Sequence, residues 1–440
     1  MKTNIKYYST NGKSKIVDFK TALGRGLAPD GGLYMPDSIP ILTPQTFQEL
    51  KGKSIAEIGK VLLYPWFGHC LLKEDFFALI DDAFNFDAPL QEVQPNVFIQ
   101  ELFHGPTFAF KDFAARIMGR LMSRIIRKDG ETLHVLTATS GDTGAAVADG
   151  FYNVPGIKVW VLYPSGKVSE IQEKQFTALG GNISAIEVNG TFDDCQRLVK
   201  KAFVDEELNR LMTLTSANSI NIGRLLPQMV YYVYAWTKIA EISNELPVFV
   251  VPSGNFGNLT AGLFANKMGM PAHHFIAANN ANKTFFDFLG EGSYKPRPSV
   301  RTLSNAMDVG DPSNFYRILE LYNYDIPSIK KQISSYWFDD EKTTQAIENV
   351  YDVNNYIMDP HTAVGYLGYK EWVKIDSSRK QNPAIILATA HAAKFSDVMP
   401  ARISATIHMP ERLNELLNMP KKSEQMSTDF ESFKNILLGK

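Results

Sequence analysis

The stretch "LHVLTATSGDTGAAVADGFY", Leu133 to Tyr152, changes period half-way along. Its first part, "LHVLTA" (Leu133–Ala138), is a short apolar run of strand type, and "GDTGAAVADGFY" reads as a helix. The same unit recurs downstream. "IKVWVLYP" (Ile157–Pro164) precedes "SEIQEKQFTALGG", a helix closed by glycine, and "ISAIEV" (Ile183–Val188) precedes a helix opened by Thr191 with Asp194 at capping-box spacing. "LMTLTSA" (Leu211–Ala217) precedes a long helix expected from about Ile220 to Ser243. "PVFVVPSG" (Pro247–Gly254), "HHFIAAN" (His273–Asn279) and "AIILATA" (Ala384–Ala390) continue the series. Short β-branched runs alternating with helical patterns predict βαβ units and parallel sheets, an α/β fold.

The first ninety or so residues differ. They carry the glycine- and proline-rich "GRGLAPDGGLYMP" (Gly24–Pro36) and no clear alternation, so a boundary is expected near Gln94. The segment after Met419, "PKKSEQMSTDF", is polar and expected to be peripheral.

Composition excludes several classes. At 440 residues, with 45% hydrophobic and 21% charged residues, the chain is long enough for two or three packed domains. A net charge of −2 gives no electrostatic case for nucleic acid or an anionic membrane. The densest apolar stretch, "MVYYVYAW" (Met229–Trp236), is too short to span a bilayer, and "MKTNIKYYSTNGKSK" lacks the apolar core of a secretory signal. Cys70 and Cys195 stand far apart, and neither they nor His273 and His274 show metal-ligand spacing, so no metal is expected. A cytoplasmic location follows from the cysteine usage.

In "HGPTFAFKDFAARIMGRL" (His104–Leu121) a lysine, Lys111, opens a helix whose apolar face is Phe113, Ile117, Met118, Leu121, Met122, Ile125 and Ile126. Arg124, Arg127 and Lys128 suit its C-terminal end, and Gly130 its stop. The helix macrodipole and the aromatic neighbours both disfavour an ammonium at Lys111. Either the side chain snorkels to solvent, or a depressed pKa makes the amine a Schiff-base former.

Three loops follow strands, where parallel sheets bind ligands. "TATSGDTGAA" (Thr137–Ala146) leaves backbone N–H groups for an anion, although alone it reads as a turn and cap. "PSGNFGN" (Pro252–Asn258) brings Gly254 and Gly257 to a strand-to-helix turn. It is neither G-x-G-x-x-G nor a P-loop, so a small phosphate ester fits it better than a dinucleotide. In "ATAHAAKF" (Ala388–Phe395), Thr389 emerges at a strand end as a neutral hydrogen bonder. A reactive amine, a phosphate cradle and a neutral hydrogen bonder are what pyridoxal phosphate requires. The remaining anion cradle suits an amino-acid carboxylate. Lys394, in the same late segment, is the rival amine. His104 and His391 read as capping or loop-packing residues.

These residues carry a resemblance. "GLAPDGGLYMP", "HGPTFAFKD", "TATSGDTGAA", "SANSINIGRLLPQ" (Ser216–Gln228), "PSGNFGNLTAG", "TLSNAMDVGDPSN" (Thr302–Asn314) and "TAHAAKF" resemble, in order, the motifs of the threonine synthase family. Its members are fold type II pyridoxal-phosphate enzymes (tryptophan synthase β-like). The match spans almost the whole chain and is closest to the microbial branch. One departure is Ala392, where the family usually has proline; another is Asp142, where related enzymes often have asparagine.

The resemblance implies two open parallel-sheet subdomains plus an N-terminal α/β domain: residues 1–94 N-terminal, 95–111 and 226–440 the large cofactor-binding domain, 112–225 the small one. It implies that Lys111 carries pyridoxal 5'-phosphate and moves protons. Gly254, Asn255, Phe256, Gly257 and Asn258 would hold the cofactor phosphate, and Thr389 the pyridine nitrogen. Thr139, Ser140, Asp142 and Thr143 would lie by the cofactor O3′ and the substrate carboxylate. Asn218, Ser219 and Arg224 would grip the phosphate of O-phospho-L-homoserine, which the family converts with water to L-threonine and phosphate. A monomer is expected. Two other readings stay open: a threonine or serine dehydratase, which has no second phosphate to bind, and a non-catalytic binder of a phosphorylated ligand, which has no need of an amine.

Overall fold

The computed structural model describes residues 5–126 and 131–440. Arg127, Lys128 and Gly130, expected at the end of the Lys111 helix, lie outside the described residues.

Two sheets organise the chain. The larger has the order β11-β10-β9-β12-β4-β3, where β3 is Leu90–Gln94, β4 Val97–Glu101, β9 Val248–Pro252, β10 His274–Asn279, β11 Ile333–Trp337 and β12 Ala384–Ala388. All its neighbours are parallel except the hairpin pair β3 and β4. The smaller is wholly parallel, β13-β7-β6-β5-β8, with β5 Leu133–Ala138, β6 Ile157–Pro164, β7 Ile183–Val188, β8 Thr213–Ser216 and β13 Glu424–Met426. Ahead of both, β1 (Tyr7–Ser9) and β2 (Tyr34–Pro36) form an antiparallel pair within an otherwise helical N-terminal unit. The central strands are buried along their length, as expected for sheets covered on both faces.

Three expectations shift. The boundary near Gln94 would separate β3 from β4, with which it pairs in the larger sheet. The segment after Met419 is mostly exposed, as expected, yet it forms an edge strand of the smaller sheet. Met426 is buried, β13 pairs with β7, and the ammonium of Lys421 sits 2.7 Å from Glu187. Burial would raise the Glu187 carboxyl, but Lys421 and the Ser165 hydroxyl outweigh that and hold it down at about 2. The tail thus completes the smaller sheet rather than the larger domain. The long helix expected over 220–243 is broken into Ile222–Leu225, a 3₁₀ turn Leu226–Gln228 and Met229–Ile239. Pro227 is the cause, because it offers no N–H to an α-helical ladder.

The Lys111–Leu121 helix buries the expected Phe113, Ile117, Met118 and Leu121, and also Asp112, Ala114, Ala115 and Gly119. Its second buried side meets the Asp142–Phe151 helix at van der Waals contact of the two backbones. A Cβ on Gly119 would stand 2.6 Å from the Gly150 carbonyl oxygen, and one on Gly150 2.8 Å from the Ala115 carbonyl carbon. Two glycines therefore set the separation of the helices that begin at Lys111 and Asp142. Gly150→Ala must push them apart and should lower unfolding free energy by about 1–3 kcal/mol, the usual penalty of overpacking. Urea denaturation of the parent and the variant measures this, and an unchanged midpoint would show that the helices are not in enforced contact.

Candidate active site

The loops after β4, β5, β8, β9 and β12 open into one cleft of about 470 Å³ between the two sheets. It is lined by Lys111, Thr139, Ser140, Thr143, Asn218, Ser219, Arg224, Gly254 to Asn258 and Thr389. Of the expected site residues only Asp142 does not line it. Asp142 lies just behind, bonded to Lys111.

Lys111 reaches this place because the loop before it is laced to the loop after β12. Ala109 bridges Ala390, and the Phe110 N–H donates to the Thr389 carbonyl at 2.9 Å. The amine stands 4.8 Å from the centre of the Phe110 ring and 3.3 Å from Asp142 Oδ2. Burial pushes its pKa down from the ordinary lysine range, against the attraction of Asp142 and with the repulsion of Lys394. Snorkelling is excluded, since only 14% of the side chain is exposed, and that part faces the cleft.

Lys394 is fully buried and does not line the cleft. Its ammonium lies 2.6 Å from Asp142 Oδ1 and donates to the Thr107 carbonyl at 3.0 Å. Gln172 Nε2 also donates to Asp142 Oδ1, at 2.9 Å. Burial would raise the Asp142 carboxyl, but Lys394 and Lys111 together outweigh it and hold it well below the usual carboxylate range. Asp142 is therefore an anion.

The turn after β9 is shaped for a phosphate. Phe256 takes a left-handed conformation (φ 58°) and no side chain caps the Gly257–Lys267 helix that follows, so its first N–H groups point towards the cleft. Gly254 has no room for a Cβ, which would meet the Ala306 carbonyl oxygen and Met307 Cα at 2.8 Å. Asn258 accepts from Tyr231 and Tyr232 through Oδ1, at 2.7 Å each, and its buried Nδ2 has no partner.

The turn after β5 is less open than its sequence suggests. Thr139 Oγ1 accepts from the N–H groups of Gly141 at 2.9 Å and Gly144 at 2.8 Å. The Thr139 hydroxyl and two of the expected donors are thus committed to the turn itself, which leaves Ser140 and Thr143 facing the cleft.

After β8, the Asn218 amide donates to the Ala138 carbonyl at 2.9 Å, tying this loop to the end of β5. Ser219 Oγ accepts from Asn255 Nδ2 at 2.6 Å, so the two expected phosphate cradles share a wall. Arg224 is buried, lines the cleft and donates from Nη1 to the Ala217 carbonyl at 2.6 Å. Its buried Nε has no partner. Burial pushes its pKa down only to about 10, so the guanidinium stays charged at neutral pH, and no carboxylate pairs with it among the described residues.

Asn314 and Arg317 back this wall, and neither stood out as a site residue in the sequence. Asn314 Nδ2 donates to the Asn255 carbonyl at 3.1 Å. The fully buried Arg317 donates to the carbonyls of Ser219 at 3.2 Å, Ile220 at 2.7 Å and Tyr34 at 3.1 Å, joining the N-terminal unit to the cleft. The signal available was "GDPSN", a turn-like run ending at Asn314.

Comparison with known proteins decides the family. A family model described as pyridoxal-phosphate dependent enzyme matches residues 84–389, that of the threonine synthase N terminus residues 6–84, and that of the threonine synthase C-terminal region residues 362–437. Threonine synthase from Escherichia coli is 39% identical over 435 residues, covering 99% of this chain and 100% of that one. The chain belongs to the threonine synthase family. A crystal structure of the Escherichia coli enzyme matches with a TM-score of 0.91 over 99% of both chains. A pyridoxal-phosphate-bound threonine synthase from Brucella melitensis matches equally well, at 33% identity over 98% of both chains. A member of this family is a fold type II, pyridoxal-phosphate-dependent lyase.

The residues present fit that cofactor. A buried amine, an uncapped helix N-terminus beside a glycine that admits no Cβ, an unpartnered amide at Asn258 and a threonine at a strand end supply its requirements from three loops. Gly254→Ala should weaken cofactor retention by about tenfold, since the new methyl must displace the Ala306–Met307 backbone. Absorbance of the protein after exhaustive dialysis measures this, with full retention counting against the turn as the phosphate site.

Proposed function

We propose that this chain converts O-phospho-L-homoserine and water to L-threonine and inorganic phosphate, as the last step of threonine biosynthesis. The observation that carries the reading is Arg224, a buried, unpaired guanidinium on a cleft that already contains a separate phosphate cradle at Gly254–Asn258. A dehydratase has no use for a second anion site of that strength, and a pure binder has none for the Lys111 amine.

In this reading Lys111 Nζ holds the cofactor and moves protons, taking first the Cα proton and then one from Cβ. The backbone N–H groups at the start of the Gly257–Lys267 helix hold the cofactor phosphate with Asn255 and Asn258. Thr389 offers the pyridine nitrogen a hydroxyl rather than a carboxylate, so that nitrogen is not held protonated. Ser140 and Thr143, at the start of the Asp142–Phe151 helix, orient the substrate carboxylate. Asn218, Ser219 and Arg224 hold the substrate phosphate until it leaves from Cγ. A proton is then returned to Cγ, and water adds at Cβ. Bound pyridoxal phosphate supplies the electron sink for these steps. The protein supplies placement and proton transfer in a cleft shielded by Phe110 and Phe256. The reading includes a monomer in the cytoplasm. All these residues come from one chain, and among the described residues no helix is long and apolar enough to cross a membrane.

Two expected outcomes test it. Borohydride treatment should fix the cofactor on the peptide containing Lys111, and Lys111→Ala should abolish turnover; label on Lys394 would sink the assignment. Arg224→Ala should keep the colour of bound cofactor but lose roughly two orders of magnitude in kcat/KM for O-phospho-L-homoserine, about 3 kcal/mol for a charged contact. Any activity on unphosphorylated serine or threonine should barely change. An equal loss on both substrate classes would return the dehydratase reading.

A further inference from the structure

The Lys111 amine has a problem that burial alone does not solve. An aspartate 3.3 Å away in a buried setting favours the ammonium form, and an ammonium can neither attack a carbonyl nor accept a proton. Asp142 is that aspartate, yet it is not aimed at Lys111 alone. Its other oxygen lies closer, at 2.6 Å, to Lys394.

Lys394 is placed for this and little else. It is fully buried, sits in the short 3₁₀ turn Ala392–Phe395 beyond β12, and its remaining recorded bond is to the Thr107 carbonyl. That carbonyl also accepts from Gln175 at 3.0 Å, while the Thr107 N–H and hydroxyl donate to Asp112, so the platform under Lys394 is rigid. The charged groups around the Lys111 amine are then Asp142 at the start of its helix, Lys394 beyond β12, Arg224 from the wall after β8, and Asp112 beside it on its own helix. Asp308 and His361 line the same cleft.

We propose that Lys394 is a positioning residue: it takes up the charge of Asp142, so that the pair presents almost no net charge to Lys111 and the amine stays free to bind and to accept protons. Asp142 keeps its geometric role, as a hydrogen-bond acceptor that holds Lys111 Nζ in place. Without Lys394 the same carboxylate would become the private counter-ion of Lys111 and lock it as an ammonium.

The inference rests on Lys111 being the cofactor amine, which the borohydride label tests separately. The experiment is a pH titration of the visible absorption band of the purified holoenzyme, which reads protonation at the Lys111 nitrogen, in the parent, in Lys394→Met and in Lys394→Met/Asp142→Asn. The single variant should raise the midpoint by about one unit or more, because a repelling cation is gone and the anion remains. Its kcat at neutral pH should fall about tenfold with KM little changed, and the acid limb of its rate profile should move to higher pH. The double variant removes the pair together and should return the midpoint to within about half a unit of the parent. It also removes both charges of the Lys394–Asp142 pair at once, so it decides the matter if the single variant does not fold. An unmoved or lowered midpoint in Lys394→Met, or a double variant displaced by more than about one unit, would overturn the proposal. A purely structural pair would reduce stability in both variants and leave the midpoint where it was.

Discussion

A lysine amine taken out of water loses the solvation that favours its charged form, and it becomes useful only if its surroundings do not restore that charge. Much of this chain's architecture serves that condition at Lys111. Two glycines bring the Lys111 and Asp142 helices into backbone contact, which fixes the distance from amine to carboxylate. The bridge from Ala109 to Ala390 holds the amine against the strand end that carries Thr389. The Asp142 carboxylate is divided between two lysines and Gln172. Every one of these contacts joins segments distant in sequence, so the amine's chemistry belongs to the packed whole and not to the loop that contains it.

Anion binding is distributed by the same logic. The proposed cofactor cradle and the proposed substrate-phosphate cradle meet at the bond between Asn255 and Ser219. Arg317 fastens that wall from behind, donating to neutral acceptors and so adding a positive charge that no carboxylate cancels among the described residues. Arg224 adds a second such charge from the front. An unpaired guanidinium on the cleft, as at Arg224, is costly by itself and would be compensated by an anion bound beside it.

The parallel sheets were legible because their strands are continuous apolar runs, and the capping box at Thr191 and Asp194 was legible because it is local. Lys111 could be singled out because a lysine between phenylalanines at a helix start is physically awkward. What escaped was non-local or too short. A three-residue strand such as β13 has no period to detect, and its reason for existing is the open edge of β7. The bonds of Thr139 to its own turn were not legible, because a hydroxyl in a glycine-rich turn can face either a ligand or the turn, and only the backbone path decides. Lys394 was visible only as a competitor to Lys111, since the carboxylate they share lies in a different sheet's loop. The break at Pro227 is readable from the proline itself, although the apolar pattern on either side continues through it.

The position of β12 in the larger sheet has a consequence for how the protein is made. β4 (Val97–Glu101) and β9 (Val248–Pro252) both precede by more than a hundred residues the strand that joins them, Ala384–Ala388, which leaves the ribosome well after either. Until it arrives, β4 and β9 each present an edge with no partner on that side, and Thr389 and Lys394 do not yet exist. Such long-range parallel pairing is slow, and the half-made sheet is open to pairing with other chains. The catalytic cleft is therefore completed late, by the same segment that closes the sheet, and a nascent chain cannot assemble it piecemeal.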